Sequence, residues 1–177
     1  MKLRPCEAQD IGAITCIYGL EVARGTASFE LEPPHEAEMS ARRQALLDGG
    51  YPYLVAELDG AIAGYAYAGA YRARPAYRSC VENSVYVDGR FRQRGVGQAL
   101  LSALVDDATR RGFRQMIAII GDSANRPSIT LHEGAGFAHA GVLRSVGWKH
   151  GRWLDTVLMQ RALGEGDGAP SALAPPA

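Results

Sequence analysis

The sequence predicts an α/β or α+β sandwich, and three observations carry that prediction. Segments of helical period alternate with segments of period two along most of the chain, which is the pattern of helices layered on a sheet rather than of a bundle or a barrel. Two alternating runs, Tyr53–Leu58 and Ala61–Ala70, flank Asp59-Gly60, a dipeptide that tolerates the positive φ angles of a tight hairpin turn. The centre of the chain reads strand, glycine loop, helix, strand between residues 80 and 120. The length, 177 residues with 47% hydrophobic, suffices for one core that buries roughly 70% of the unfolded surface. We expect one domain over 1–163 and a tail over 164–177, whose Gly, Ala and Pro repay little of the entropy of ordering.

Each element has a local reason. Residues 2–4 read as a short strand. In 8–22, Ile11, Ile14, Thr15, Tyr18 and Val22 fall at helical spacing. A loop over 24–32 carries Thr26 and Phe29 and ends at Pro33-Pro34; a second helix over 36–47 is stopped by Asp48-Gly49-Gly50. After the hairpin, a basic and aromatic loop over 71–77 leads to a strand, Cys80–Val87. There Val81, Asn83, Val85 and Val87 share one face, and Glu82, Ser84 and Tyr86 take the other. Leu100, Leu101, Leu104, Val105 and Ala108 form the stripe of an amphipathic helix over 98–110, followed by a short apolar strand over 116–120. A helix over 127–135 and strands over 137–143 and 153–159 complete the pattern.

Composition removes several function classes. Nineteen Lys+Arg against nineteen Asp+Glu give a net charge of +0, so the chain lacks the field of a general nucleic-acid binder, and any anion site is local. Cys6, Cys16 and Cys80 form an odd set with no Cys-x-x-Cys pair, which argues for reduced cytoplasmic thiols and against a disulfide framework or structural zinc. The N-terminus meets charged and turn residues too early for a signal peptide, and no apolar run reaches bilayer length, so no membrane partner is expected.

Arg92-Gln93-Arg94-Gly95-Val96-Gly97 lies between a strand and a helix, with Arg90 close by. A helix N-terminus carries unsatisfied N–H groups and partial positive charge, and glycines let backbone approach a pyrophosphate without a Cβ in the way. A Walker loop would need Lys-Ser/Thr after the second glycine, and a dinucleotide fingerprint would put a small residue where Leu100 stands. The remaining pattern, Arg-x-x-Gly-x-Gly before a helix, is that of GNAT acyltransferases. An ordinary strand-to-helix turn is the bland alternative.

At these residues the chain resembles the GNAT superfamily, and within it the phosphinothricin and methionine sulfoximine N-acetyltransferase group. The resemblance covers about nine tenths of the chain. It rests on Gly25-Thr26-Ala27-Ser28-Phe29, Val81-Glu82-Asn83-Ser84-Val85-Tyr86-Val87, Arg92 through Gly97, Asn125 through Leu131-His132-Glu133, and Gly147-Trp148-Lys149-His150-Gly151-Arg152-Trp153-Leu154-Asp155. It implies a mixed central sheet, splayed near its middle and flanked by helices on both faces, with acetyl-CoA in the wedge, no metal, and a cytoplasmic homodimer. A role in herbicide resistance goes with the group. Carried over, the cofactor contacts are the backbone of Val85, Tyr86 and Val87, the loop Arg92, Gln93, Arg94, Gly95, Val96 and Gly97, and the side chain of Asn125. Glu82 is the implied general base.

Acetyl transfer to an amine needs a neutral nitrogen, a polarised thioester carbonyl and a proton for the departing thiolate. Partial burial would raise the pKa of Glu82 into a useful range; an ion-paired surface glutamate is the alternative. The backbone N–H of Val87 is the candidate donor to the thioester oxygen. His132 stands where many GNAT enzymes have a tyrosine, as proton donor, water holder or packed histidine. Cys80 is close enough in sequence to leave a covalent route open. For the acceptor, Arg72, Arg74, Tyr77, Thr26, Phe29, Lys149 and His150 suggest a small anionic amino acid, although the arginines could instead form a solvated rim. Trp148 and Trp153 read as core or interface, and His35 and His139 carry no partner pattern. Two rivals remain: a GNAT acetyltransferase for a protein N-terminus, a lysine or a polyamine, and a non-catalytic acetyl-CoA sensor.

Overall fold

The computed structural model describes residues 1–173. Seven strands form one sheet in the order β1-β2-β3-β4-β5-β7-β6, where β1 is Lys2–Pro5, β2 Tyr53–Leu58, β3 Ala61–Ala70, β4 Cys80–Val87, β5 Gln115–Gly121, β6 Ala138–Lys149 and β7 Arg152–Ala162. Among the described residues only the β4–β5 pair is parallel, and its crossover is the helix α3 (Val96–Arg110). The other helices are α1 (Ile11–Arg24), α2 (Glu36–Asp48) and α4 (Arg126–Gly134).

The two faces of the sheet have separate cores. On one, Ile11, Ile14, Tyr18 and Val22 of α1 and Met39 of α2 pack on Tyr53, Val55 and Tyr65. On the other, Leu100, Leu101, Leu104 and Ala108 of α3 and Ile129 of α4 pack on Ala66, Val81, Met116 and Met159. Helix α2 contributes one buried side chain and owes its start to His35, whose Nδ1 accepts from the Glu38 N–H at 3.1 Å; this cap is the role that the sequence pattern did not reveal. The expected hairpin turn is present, with Asp59 and Gly60 at φ 54° and 76°.

Three expectations need correcting. Helix α3 starts at Val96 rather than 98, so Gly95, at φ 77°, is its N-cap, and the glycine loop is itself the helix terminus. The last two strands are much longer than 137–143 and 153–159, and they meet at a tight turn through His150 and Gly151. Bulges near His139 and between Leu143 and Gly147, with Ser145 at φ 53°, break the period-two signal and hide half of β6. Trp148 and Trp153 are not core residues: they lie 57% and 60% exposed, edge to face with each other.

Of the expected tail, residues 164–173 run back along the domain, where Arg114 donates to the Pro170 carbonyl at 3.2 Å and Leu173 packs against the α3 core. Residues 174–177 lie outside the described residues. Among the described residues, no helix is long and apolar enough to cross a membrane, and no group of three or more His, Cys, Asp or Glu is placed to hold a metal ion.

Candidate active site

The sheet opens at its one parallel junction. β4 and β5 stay in register from Cys80 opposite Gln115 to Asn83 opposite Ala118, yet β4 continues to Val87 and β5 to Gly121. Along β4, the N–H of Asp88 donates to Ala63 at 2.9 Å and the carbonyl of Cys80 accepts from Tyr71 at 3.4 Å, so even-numbered positions bond β3. By the alternation of an antiparallel ladder, Val85 and Val87 direct their N–H and C=O groups away from β3, toward the place β5 has left. Val85 lines a cleft there with Asn83, Ile120, Ala27, Asn125 and His132.

The glycine loop follows the end of β4. Gln93 and Gly95 both take positive φ, 60° and 77°, and a Cβ on Gly97 would reach within 3.5 Å of Val87 and 3.4 Å of Leu131. The first intrahelical bond is donated by Ala99, so the N–H groups of Val96, Gly97 and Gln98 have no helical partner. The neighbouring guanidinium groups have carboxylate partners, Arg94 on Asp59 at 2.9 Å, Arg90 on Asp88 at 2.7 Å and Arg92 on Glu21 at 3.7 Å. What the loop offers an anion is therefore mainly backbone N–H groups and the helix dipole.

Glu82 and His132 approach the cleft from opposite faces. Glu82 is half-buried on the α1 side, where burial pushes its carboxyl above the ordinary range and the Arg72 charge pulls it partly back. On the same side, Tyr18 donates to Glu30 at 2.9 Å. Cys80, half-buried beside Glu82, is pushed up to about 11, mainly by burial, which keeps it a thiol and a poor nucleophile at neutral pH. His132 is buried on the α4 side, and burial lowers its pKa. Asn125 caps α4, its Oδ1 accepting from the Ser128 N–H at 3.3 Å.

Residues 25–30 cross the mouth of the cleft as a strap, and several expected acceptor contacts hold it there. Lys149 Nζ donates to the Ser28 carbonyl at 2.6 Å, His150 Nε2 lies 3.1 Å from the Gly25 carbonyl, and Glu21 accepts from the Ala27 N–H at 3.1 Å. Asp122 pairs with Arg152 and accepts from the Ala124 N–H at 3.0 Å. Phe29 fits between Gly121 and Gly147, where any Cβ would strike its ring. Arg72, Arg74 and Tyr77 stay exposed on the outer rim, with Arg72 over the Tyr71 ring at 4.9 Å and Tyr77 edge to face with it. The structure thus gathers Val85, Tyr86, Asn125 and His132 at one cleft and places Lys149 and His150 behind the strap. The roles of Ser28, Asp122 and Asn83 went unread, because each acts through a long-range partner that no local spacing encodes.

Comparison with known proteins accounts for this geometry. Residues 17–137 match the family model described as Acetyltransferase (GNAT) family. The chain belongs to the GNAT family. As a GNAT N-acetyltransferase it uses acetyl-CoA as the acetyl donor, and the open β4 edge and the glycine loop suit an extended, pyrophosphate-bearing molecule. It is 52% identical over 165 residues to the phosphinothricin N-acetyltransferase of Alcaligenes faecalis, covering 93% of this chain and 84% of that protein. It is 39% identical to the L-methionine sulfoximine/L-methionine sulfone acetyltransferase of Salmonella typhimurium, over 97% of this chain and 99% of that one. A crystal structure of a GNAT superfamily phosphinothricin acetyltransferase from Sinorhizobium meliloti in complex with AcCoA superposes with a TM-score of 0.94 at 49% identity, covering 97% of this chain and 92% of that chain.

Proposed function

We propose that this GNAT enzyme acetylates the amino group of a small glutamate-like amino acid such as phosphinothricin or methionine sulfoximine. Glu82 acts as general base and His132 as proton donor. The observation that carries the reading is the half-buried, cation-flanked Glu82 beside the unpaired backbone of Val85 and Val87. Arg72, Arg74 and Tyr77 at the rim offer an anionic acceptor a guanidinium and an aromatic wall, and Thr26 and Phe29 bring the strap against it. The names of the relatives support the same acceptor class.

In this mechanism Glu82 takes a proton from the incoming ammonium, and the neutral nitrogen attacks the thioester carbonyl. The Val87 N–H receives the developing oxyanion, in a position that needs no reorganisation. As the C–S bond breaks, the nitrogen releases its remaining extra proton to solvent, and His132 protonates the CoA thiolate. Backbone groups of Val85 and Tyr86, the Arg92–Gly97 loop and Asn125 hold the donor. We further propose a cytoplasmic homodimer, supported by the free thiols and by Leu143, Val146, Trp148 and Trp153 exposed along one hairpin.

Thiol release from acetyl-CoA, scanned over phosphinothricin, methionine sulfoximine, common amino acids, spermidine and peptides, tests the reading. Turnover concentrated on the first two, reduced about 100-fold in kcat by Glu82→Gln, is the expected outcome. Turnover only on peptides or polyamines overturns the acceptor assignment. Acetyl-CoA binding without turnover on any amine favours a sensor.

A further inference from the structure

Asn83 follows the proposed base in sequence and points the other way, into the α4 side of the cleft. Its Nδ2 donates to the Ile117 carbonyl at 3.1 Å, across the last paired residues before the strands part. Its Oδ1 lies 3.0 Å from His132 Nε2, and the Ser128 carbonyl lies 2.8 Å from His132 Nδ1. Turning the amide over would set Oδ1 against the Ile117 carbonyl, two acceptors face to face, so the strand fixes which end of Asn83 meets the ring. The imidazole therefore sits between two oxygens that can only accept. Both side chains are nearly inaccessible, His132 at 4% and Asn83 at 5%, so bulk water does not relieve the mismatch.

We infer that Asn83 is a positioning residue that, together with the Ser128 carbonyl, holds His132 in its protonated form, from which the Nε2 proton passes to the CoA thiolate once Nε2–H turns from Asn83 Oδ1 toward the cleft. The inference rests on the proposed donor role of His132. With one oxygen at each nitrogen, the geometry favours the doubly protonated ring and opposes the effect of burial. No charged side chain competes: Glu82 points to the opposite face, Glu133 bonds His139 outside, β5 offers Ile117 and Ala118, and the ring edge rests on Phe137 at 5.0 Å.

The test is nitrogen NMR of histidine-labelled protein together with the pH profile of kcat, for the wild type, Asn83→Leu and Asn83→Asp. In Asn83→Leu, which takes the acceptor away from Nε2, the His132 pKa falls by about one unit. The alkaline limb of kcat moves down with it, while KM for acetyl-CoA changes by less than about twofold. Asn83→Asp, which keeps an acceptor at the ring and adds charge, moves the pKa and the limb upward, so a poorly folding leucine variant does not end the test. An unchanged ring pKa in both variants overturns the proposal. A shifted ring with an unmoved kcat profile overturns the link to the reaction, and full activity of His132→Ala is the separate sign that the donor assignment itself has failed.

Discussion

Glu82 and Asn83 adjoin in the chain yet serve opposite faces, because a strand turns successive side chains through half a turn. In the proposed mechanism the acidic limb of activity belongs to Glu82, whose carboxyl burial raises and Arg72 partly restores. The base must be ionised to work, so the rate falls as pH drops through that raised value. Arg72→Ala removes the restoring charge and moves the acidic limb of kcat/KM to higher pH, by about a few tenths of a unit because Arg72 is exposed and screened. A pH–rate profile of the variant checks this, and a shift toward lower pH contradicts the assignment. At this scale the sequence was informative where a residue acts through its own segment. Strand alternation alone placed Glu82 on the face opposite Val85 and Val87. Lys149 could not be placed behind Ser28, because that contact spans 121 positions.

Between elements, the cleft depends on the strap over residues 25–30 being pressed onto β5 and β6. Gly121 makes this approach possible: a Cβ there would come within 2.9 Å of Phe29 and 3.1 Å of the Ala27 carbonyl. Gly121→Ala lifts the strap and should cost about 1–3 kcal/mol. Activity should fall further than stability explains, because Ala27 lines the cleft. Lys149→Met loosens the same segment by removing a charge-assisted bond to the Ser28 carbonyl, at a cost on the order of 2 kcal/mol, while leaving the Gly121 contact in place. Urea unfolding and KM for the amine, measured on both variants, separate the two effects; a pair of variants with unaltered KM would remove the strap from the site. The alternation of elements, the hairpin and the amphipathic α3 were all legible, since each is a local period. The full length of β6 was not, because bulges and the positive φ of Ser145 interrupt the period on which such a reading depends.

For the whole molecule, the decisive feature is the edge of the sheet farthest from β1. β6 is an edge strand of 12 residues, and exposed edges of that length invite pairing or burial. Leu143, Val146, Trp148 and Trp153 leave apolar surface open there, a pattern that marks an association surface more often than bare solvent contact. The same hairpin carries Lys149 and His150, which hold the strap, so an association through β6 and β7 would brace the cleft from outside. Trp148→Asp together with Trp153→Asp puts charge on this surface without entering either core. Sedimentation or light scattering should find a dimer in the wild type and a monomer in the double variant. KM for the amine should rise more than KM for acetyl-CoA, because the strap lies at the mouth of the cleft while the glycine loop is anchored by α3, on the other side of the parallel junction. A double variant that remains dimeric places the interface elsewhere. A monomeric variant with unaltered kinetics shows that each subunit braces its own strap.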